Sequence, residues 1–207
     1  MSTRASTALP GFAAPAAGYD QPFEMLEACH ERVERSLGLL QRLLAHLQAR
    51  GFVADEQARD AARDVMRYFD RAAPEHHADE ERHVFPLART LREAAVDAAI
   101  AQLMQDHVTF HDRWLRVREG LTQITQAADR PALGPHEAES FAEQVMAFVQ
   151  GYPAHMATEH ETVFPAAQRA LAAQDAAPRR LREMGDEMAG RRGATRPADD
   201  ADDAEGG

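Results

Sequence analysis

Two short strings hold the residues that could do chemistry. Residues 74–86 read PEHHADEERHVFP and residues 153–165 read PAHMATEHETVFP, and both fit Pro-x-His-x3-Glu-x3-Val-Phe-Pro. A spacing of four places His76 with Glu80, and His155 with Glu159, on one face of a helix about one turn apart. The strings lie 79 residues apart, and His30 lies 77 residues before His107, so the chain reads as a duplicated helical hairpin. His111, four residues after His107, adds another imidazole on the same predicted face. Buried carboxylates cost several kcal/mol each when unpaired, and the sequence offers no Lys and no Arg on these faces to pair with them. A cation would neutralise them. Imidazoles with shared carboxylates and no thiolate suit iron, manganese or zinc in a dinuclear site. The competing reading is a polar layer that only sets helix register, since a lone histidine on an apolar face is more often a hydrogen-bonded core residue. Five histidines and two glutamates on four faces weigh against it.

Four long helical patterns must position these groups. The first opens at Asp20 as N-cap with Pro22 in its first turn, and its seam is Phe23, Leu26, His30, Val33, Leu37, Leu40, Leu44 and Leu47 before Gly51. The second starts near Asp55 and carries Ala58, Ala62, Val65, Phe69 and Ala72, then His76 and Glu80, with a kink expected at Pro74. The third reads Val96, Ile100, Leu103, His107, His111, Trp114, Val117, Leu121 and Ile124. The fourth follows Gly134 and Pro135 with Phe141, Val145, Phe148, Tyr152, His155, Glu159 and Val163. The expected fold is all-α: an antiparallel up-down four-helix bundle over residues 20–173, with a short amphipathic helix within 174–189 carrying Leu181, Met184 and Met188. Residues 1–19 read as a disordered arm and 190–207 as a disordered acidic tail.

Composition narrows the setting. All 23 basic residues are Arg, and the net charge of -11 argues against nucleic acid or an anionic membrane as partner. The single Cys29 excludes an intramolecular disulfide framework and a multi-cysteine metal site, which makes the cytoplasm the expected compartment. No apolar run approaches a membrane span. The N-terminal segment, broken by Pro10, Gly11 and Pro15, does not read as a signal peptide.

The set His30, His76-x3-Glu80, His107-x3-His111 and His155-x3-Glu159, with Val-Phe-Pro after each His–Glu pair, resembles the hemerythrin-like His-His-Glu cation-binding family over roughly residues 20–173. The ferritin-like pattern, Glu-x-x-His, is different. The resemblance implies two non-heme iron ions with an oxo or hydroxo bridge, terminal ligands His30, His76, His107, His111 and His155, and bridging carboxylates Glu80 and Glu159. Three histidines would close one iron and two would leave the other an open position for dioxygen or nitric oxide, beside an apolar wall of Phe69, Phe110, Trp114 and Phe148. His77 with Glu81 is an alternative His-x3-Glu pair; the alignment of the two strings selects His76 and Glu80, because His77 corresponds to Met156. The family's oxygen carriers place the second bridging carboxylate five residues after its histidine, where this chain has His160. Glu34 is expected to be solvated, and His46, His83, His136 and Cys29 need no function.

Three function classes follow. The first is reversible binding of dioxygen or another small diatomic for storage or sensing, more binding than turnover. The second is a response to nitrosative or oxidative stress, including iron-sulfur cluster repair. The third is a structural or interaction bundle stapled by metal. His111 is expected to separate the first from the second, because it completes one coordination shell.

Overall fold

The structure is a computed structural model that describes residues 18–128 and 130–193. It is all-helical, and five helical runs account for the fold. Helix α1 spans Pro22–Ala49, one residue later than an Asp20 cap would give; Gln21 holds the cap position without a side-chain cap bond. The chain reverses at Gly51 and Phe52, both with positive φ (61° and 59°). Helix α2 is a continuous run over residues 56–89, opened by Asp55, whose carboxylate accepts from the Ala58 N–H at 2.9 Å. Helix α3 spans Ala94–Gln126, α4 is a continuous run over residues 135–172, and α5 spans Ala177–Arg191.

Two of these helices contain π-helical turns. In α2 they are Tyr68–Ala72 and Glu80–Val84, and in α4 the turn is Glu159–Val163. Each is followed within two residues by a proline, Pro74, Pro86 and Pro165. Proline has no N–H and its ring crowds the carbonyl one turn back. A widened turn just ahead relieves that clash without breaking the helix. The Val-Phe-Pro strings therefore mark where π turns end, and the kink expected at Pro74 takes this form.

The buried apolar residues divide into two clusters. One contains Val33 to Leu47 of α1, Ala58 to Ala73 of α2, Phe110 to Ile124 of α3 and Ala138 to Met156 of α4. The other contains Phe23 and Leu26 of α1, Val84 to Ala88 of α2, Val96 to Leu103 of α3, Val163 to Leu171 of α4, and Met184 and Met188 of α5. Along the chain, α1 and α3 pass from the second cluster to the first, and α2 and α4 pass the other way. Between the clusters every long helix contributes polar residues: His30, His76 to Glu80, His107, and His155 to Glu159. The chemistry sits in one layer sandwiched by two apolar cores.

Helix α5 closes the second cluster. A Cβ at Gly185 would fall 1.9 Å from the Tyr19 carbonyl oxygen, so only glycine admits this contact. The helix runs two residues past Ala189, and Arg191 and Arg192 form ion pairs with the fully buried Asp79 of α2, Arg192 Nη2 at 2.5 Å from Asp79 Oδ2. Four residues assigned from sequence to the tail, 190–193, thus belong to the ordered fold. The rest of the tail, and residues 1–17 of the arm, lie outside the described residues. Among the described residues, no helix is long and apolar enough to cross a membrane.

Candidate metal centre

Both carboxylates of the layer are fully buried, and each faces imidazoles on two sides. Glu159 Oε2 is 3.0 Å from His30 Nε2, while its Oε1 is 2.8 Å from His155 Nε2. Glu80 Oε1 is 3.2 Å from His76 Nε2 and 3.9 Å from His30 Nε2, and its Oε2 is 3.5 Å from His107 Nε2. Two overlapping groups result. One ligand atom from each of His30, His76, Glu80 and Glu159 lies within 4.8 Å of the others, and so does one from each of Glu80, His107, His155 and Glu159. Both carboxylates belong to both groups.

The contacts are short, yet they do not have hydrogen-bond geometry. His30 Nε2, His107 Nε2, His155 Nε2 and all four oxygens of Glu80 and Glu159 are buried without a hydrogen-bond partner. Unpaired buried polar atoms cost about 1–3 kcal/mol each, so a native fold rarely leaves seven together. Ligand atoms gathered this closely would be satisfied by cations held between them.

The far nitrogens of three rings are anchored. His107 Nδ1–H donates to Glu81 Oε1 at 2.8 Å, and His155 Nδ1 meets Asp106 Oδ2 at 3.4 Å. His30 Nδ1 lies 2.7 Å from His160 Nε2. A carboxylate on one ring nitrogen fixes the tautomer that presents the other nitrogen's lone pair to a metal.

The charge pattern is unfavourable without a cation. Burial, and then the negative charge of Glu159, push the Glu80 carboxyl well above the usual range. Burial would also raise Glu159, but the His155 and His30 rings beside it hold it well below that range. Burial, reinforced by the neighbouring histidines, holds His76 and His77 well below the usual imidazole value, so both are neutral donors. Burial would lower His155 too, and Glu159 reverses its direction.

Six of the seven residues proposed from sequence, His30, His76, Glu80, His107, His155 and Glu159, are brought together here. His111 is not. It is exposed, because the inward positions of α3 run Leu103, His107, Phe110 and Trp114, and Phe110 takes the place the sequence pattern gave to His111. A further imidazole that the structure brings to the layer is His77. It stacks on His107 with ring centroids 3.9 Å apart and offers a nitrogen within 4.8 Å of those of His107 and His155. His76 and His77 are therefore not alternatives; both reach the layer. His83, placed off the seams by pattern, is buried and pairs with Glu187 at 3.5 Å. Glu34 is exposed, as expected.

The aromatic wall is assembled. Phe69 lies 5.1 Å from Trp114 and 5.0 Å from Phe148, and Phe110 stacks on Tyr152 at 4.1 Å while meeting His155 edge-on at 5.0 Å. His111 stands at the rim of a small cavity of about 70 Å³ against this wall, with His77 on its lining. On the opposite side a cleft of about 440 Å³ reaches His30 and His160 between α1 and α4.

A helical layer of this composition is the hallmark of the cation-binding class that the sequence resembles. Residues 21–167 match the model of the hemerythrin HHE cation binding domain, and the chain belongs to that family. A relative in Haemophilus influenzae (strain ATCC 51907 / DSM 11121 / KW20 / Rd), described as an uncharacterized protein, is 31% identical over 177 residues, covering 85% of this chain and 92% of that one.

Proposed function

We propose that the chain holds two non-heme iron ions, one by His30 and His76 and the other by His107 and His155 with His77, bridged by Glu80 and Glu159. It uses them to bind dioxygen or another small diatomic reversibly, for storage or sensing. The observation that carries this reading is the pair of fully buried carboxylates whose four oxygens face imidazole nitrogens without hydrogen bonds. Bound iron would supply an open coordination position, which the fewer imidazoles of the His30 and His76 side favour there. The chain does the rest. Glu81, Asp106 and His160 orient rings, and Phe69, Phe110, Trp114 and Phe148 keep water from one side of the layer. The alternating passage of α1 to α4 between the two apolar clusters supports an antiparallel up-down bundle made from a duplicated hairpin.

A second reading is favoured by the parallel stack of His77 on His107, 8° between planes. If His77 stays stacked as an orienting ring, each ion has two imidazoles and both carry open positions. That symmetric site fits nitrosative or oxidative stress chemistry or iron-sulfur cluster repair. Anaerobic reconstitution with ferrous iron, followed by optical spectra in air and in nitric oxide, separates the two. Oxygenation that reverses under vacuum supports binding and storage; irreversible oxidation in air, with a stable nitric oxide spectrum, supports the protective role.

A further inference from the structure

A groove of about 700 Å³ between α1 and α2 is lined by guanidinium groups from three parts of the chain. Arg32, Arg35 and Arg42 come from one face of α1, Arg67 and Arg71 from α2, and Arg192 from just past α5. Asp64 and Glu75 also line it, and both are engaged: Asp64 pairs with Arg67, and Glu75 lies 3.7 Å from Arg71 Nε and 3.4 Å from Arg192 Nε. Arg35 has an exposed pair with Glu31 at 3.5 Å. Arg32 and Arg42 have no carboxylate partner among the described residues. Six cations against two anions is a local inversion of sign in a chain of net charge -11. The charges also converge. Burial and then Cys29 raise the Tyr68 hydroxyl on the groove's lining, while Arg32, Arg35 and Arg192 pull it the other way, so guanidinium groups from α1 and from the end of α5 bear on one point.

We propose that this groove binds a small molecule carrying several linked phosphates, as a nucleoside triphosphate or a short inorganic polyphosphate does. A guanidinium fork meets phosphate oxygens two at a time, and every basic residue of the chain is Arg. Arg32 and Arg42 are ten residues apart on α1, about 15 Å along the helix, so a single phosphate engages one end of the row and linked phosphates engage more of it. The volume lies within the usual range of small-molecule sites, about 300–1,000 Å³. A membrane surface or a long nucleic acid fits less well, because the acidic remainder of the chain repels an extended polyanion. Glu75 holds Arg71 and Arg192, and the buried Asp79 holds Arg192 as well, so part of the cradle is fixed before a ligand arrives. Arg32 and Arg42 supply charge that no described carboxylate neutralises.

Isothermal titration calorimetry on the full chain at low salt, with tripolyphosphate, orthophosphate, a nucleoside triphosphate and a hexaglutamate peptide as probes, tests this. Tripolyphosphate should bind saturably, at about one per chain, and about tenfold or more tighter than orthophosphate. Arg42→Gln, at an exposed position, should weaken it about tenfold, and Arg32→Gln with Arg42→Gln about a hundredfold. Helical content by circular dichroism should not change, since neither substitution breaks an ion pair. Arg116→Gln with Arg182→Gln removes the same charge from exposed positions outside the groove and should change the affinity by less than about twofold. A nucleoside triphosphate that binds as tightly as tripolyphosphate or tighter supports a nucleotide as the ligand, and one that binds more weakly supports the inorganic chain. Absence of saturable binding, or equal losses in the two double variants, would overturn the proposal. Hexaglutamate binding as tight as that of tripolyphosphate would also overturn it, by making the groove a surface for an acidic protein segment.

Discussion

Glu80→Gln separates what the layer costs the fold from what cations return to it. Glu80 is fully buried, and its carboxyl is raised well above the usual range by burial and by Glu159. In the unfolded chain it ionises near ~4.3. With a raised folded value, its contribution to metal-free stability is fully present below about pH 4.3 and is lost as pH rises through the folded value, because the folded protein holds a proton the unfolded chain has released. The slope is about 1.4 kcal/mol per pH unit over that window, or ~3–6 °C in Tm for a chain of this size. Glutamine keeps the shape and cannot ionise. In chelator, the melting temperature of the variant relative to the unaltered protein should therefore climb by ~3–6 °C per pH unit above about pH 4.3, then level off. With cation the ranking reverses. Two ions at about a hundred times their Kd would stabilise the native chain by about 5 kcal/mol together, or ~10–20 °C, and the variant should forfeit most of that because Glu80 belongs to both groups of candidate ligands. Circular dichroism melts from pH 5 to 8, with chelator and with ferrous iron under anaerobic conditions, measure both effects. Parallel pH profiles in chelator would refute the buried-charge argument, and an undiminished iron-induced shift in the variant would refute the bridging role.

Three further outcomes follow from the geometry. His77→Ala should lower iron affinity or change the optical spectrum of the reconstituted protein, whereas His111→Ala should leave iron content by metal analysis unchanged, because His111 is exposed. Glu81→Gln and Asp106→Asn should each weaken metal binding by about 10–100-fold in a competition titration while the helices stay folded, since these carboxylates hold the far nitrogens of His107 and His155. Arg191→Ala with Arg192→Ala should destabilise the protein by about 3–5 kcal/mol in urea unfolding, by leaving the carboxylate of Asp79 buried and unpaired, and Asp79→Asn should recover most of the loss.

Much of the candidate site was legible because the duplication aligns the chain with itself. His76 with Glu80 and His155 with Glu159 follow from the shared string, and His30 and His107 from the matching offsets. What failed was helix phase. A seam extended by alternating threes and fours placed His111 inward, but α3 is an uninterrupted 33-residue α-helix whose buried row passes through Phe110. In α2 the choice of His76 with Glu80 matches the group the structure assembles, while the π turns on both sides of residues 73–79 bring His77 to the layer as well, which an α-helical pattern does not anticipate. The three prolines that follow π turns were the available signal. Glu81, Asp106 and His160 had none, because their roles depend on which neighbour's far nitrogen each meets across helices. Asp79 and its two arginines were invisible for the same reason, being 112 residues or more apart in the chain.

The central claim is a dinuclear centre bridged by Glu80 and Glu159. Metal analysis after anaerobic reconstitution with ferrous iron and removal of unbound metal tests it most directly. The account predicts two iron ions per chain, falling towards none when both bridges are replaced by Gln; one ion per chain at saturation, or two retained by the double variant, would contradict it.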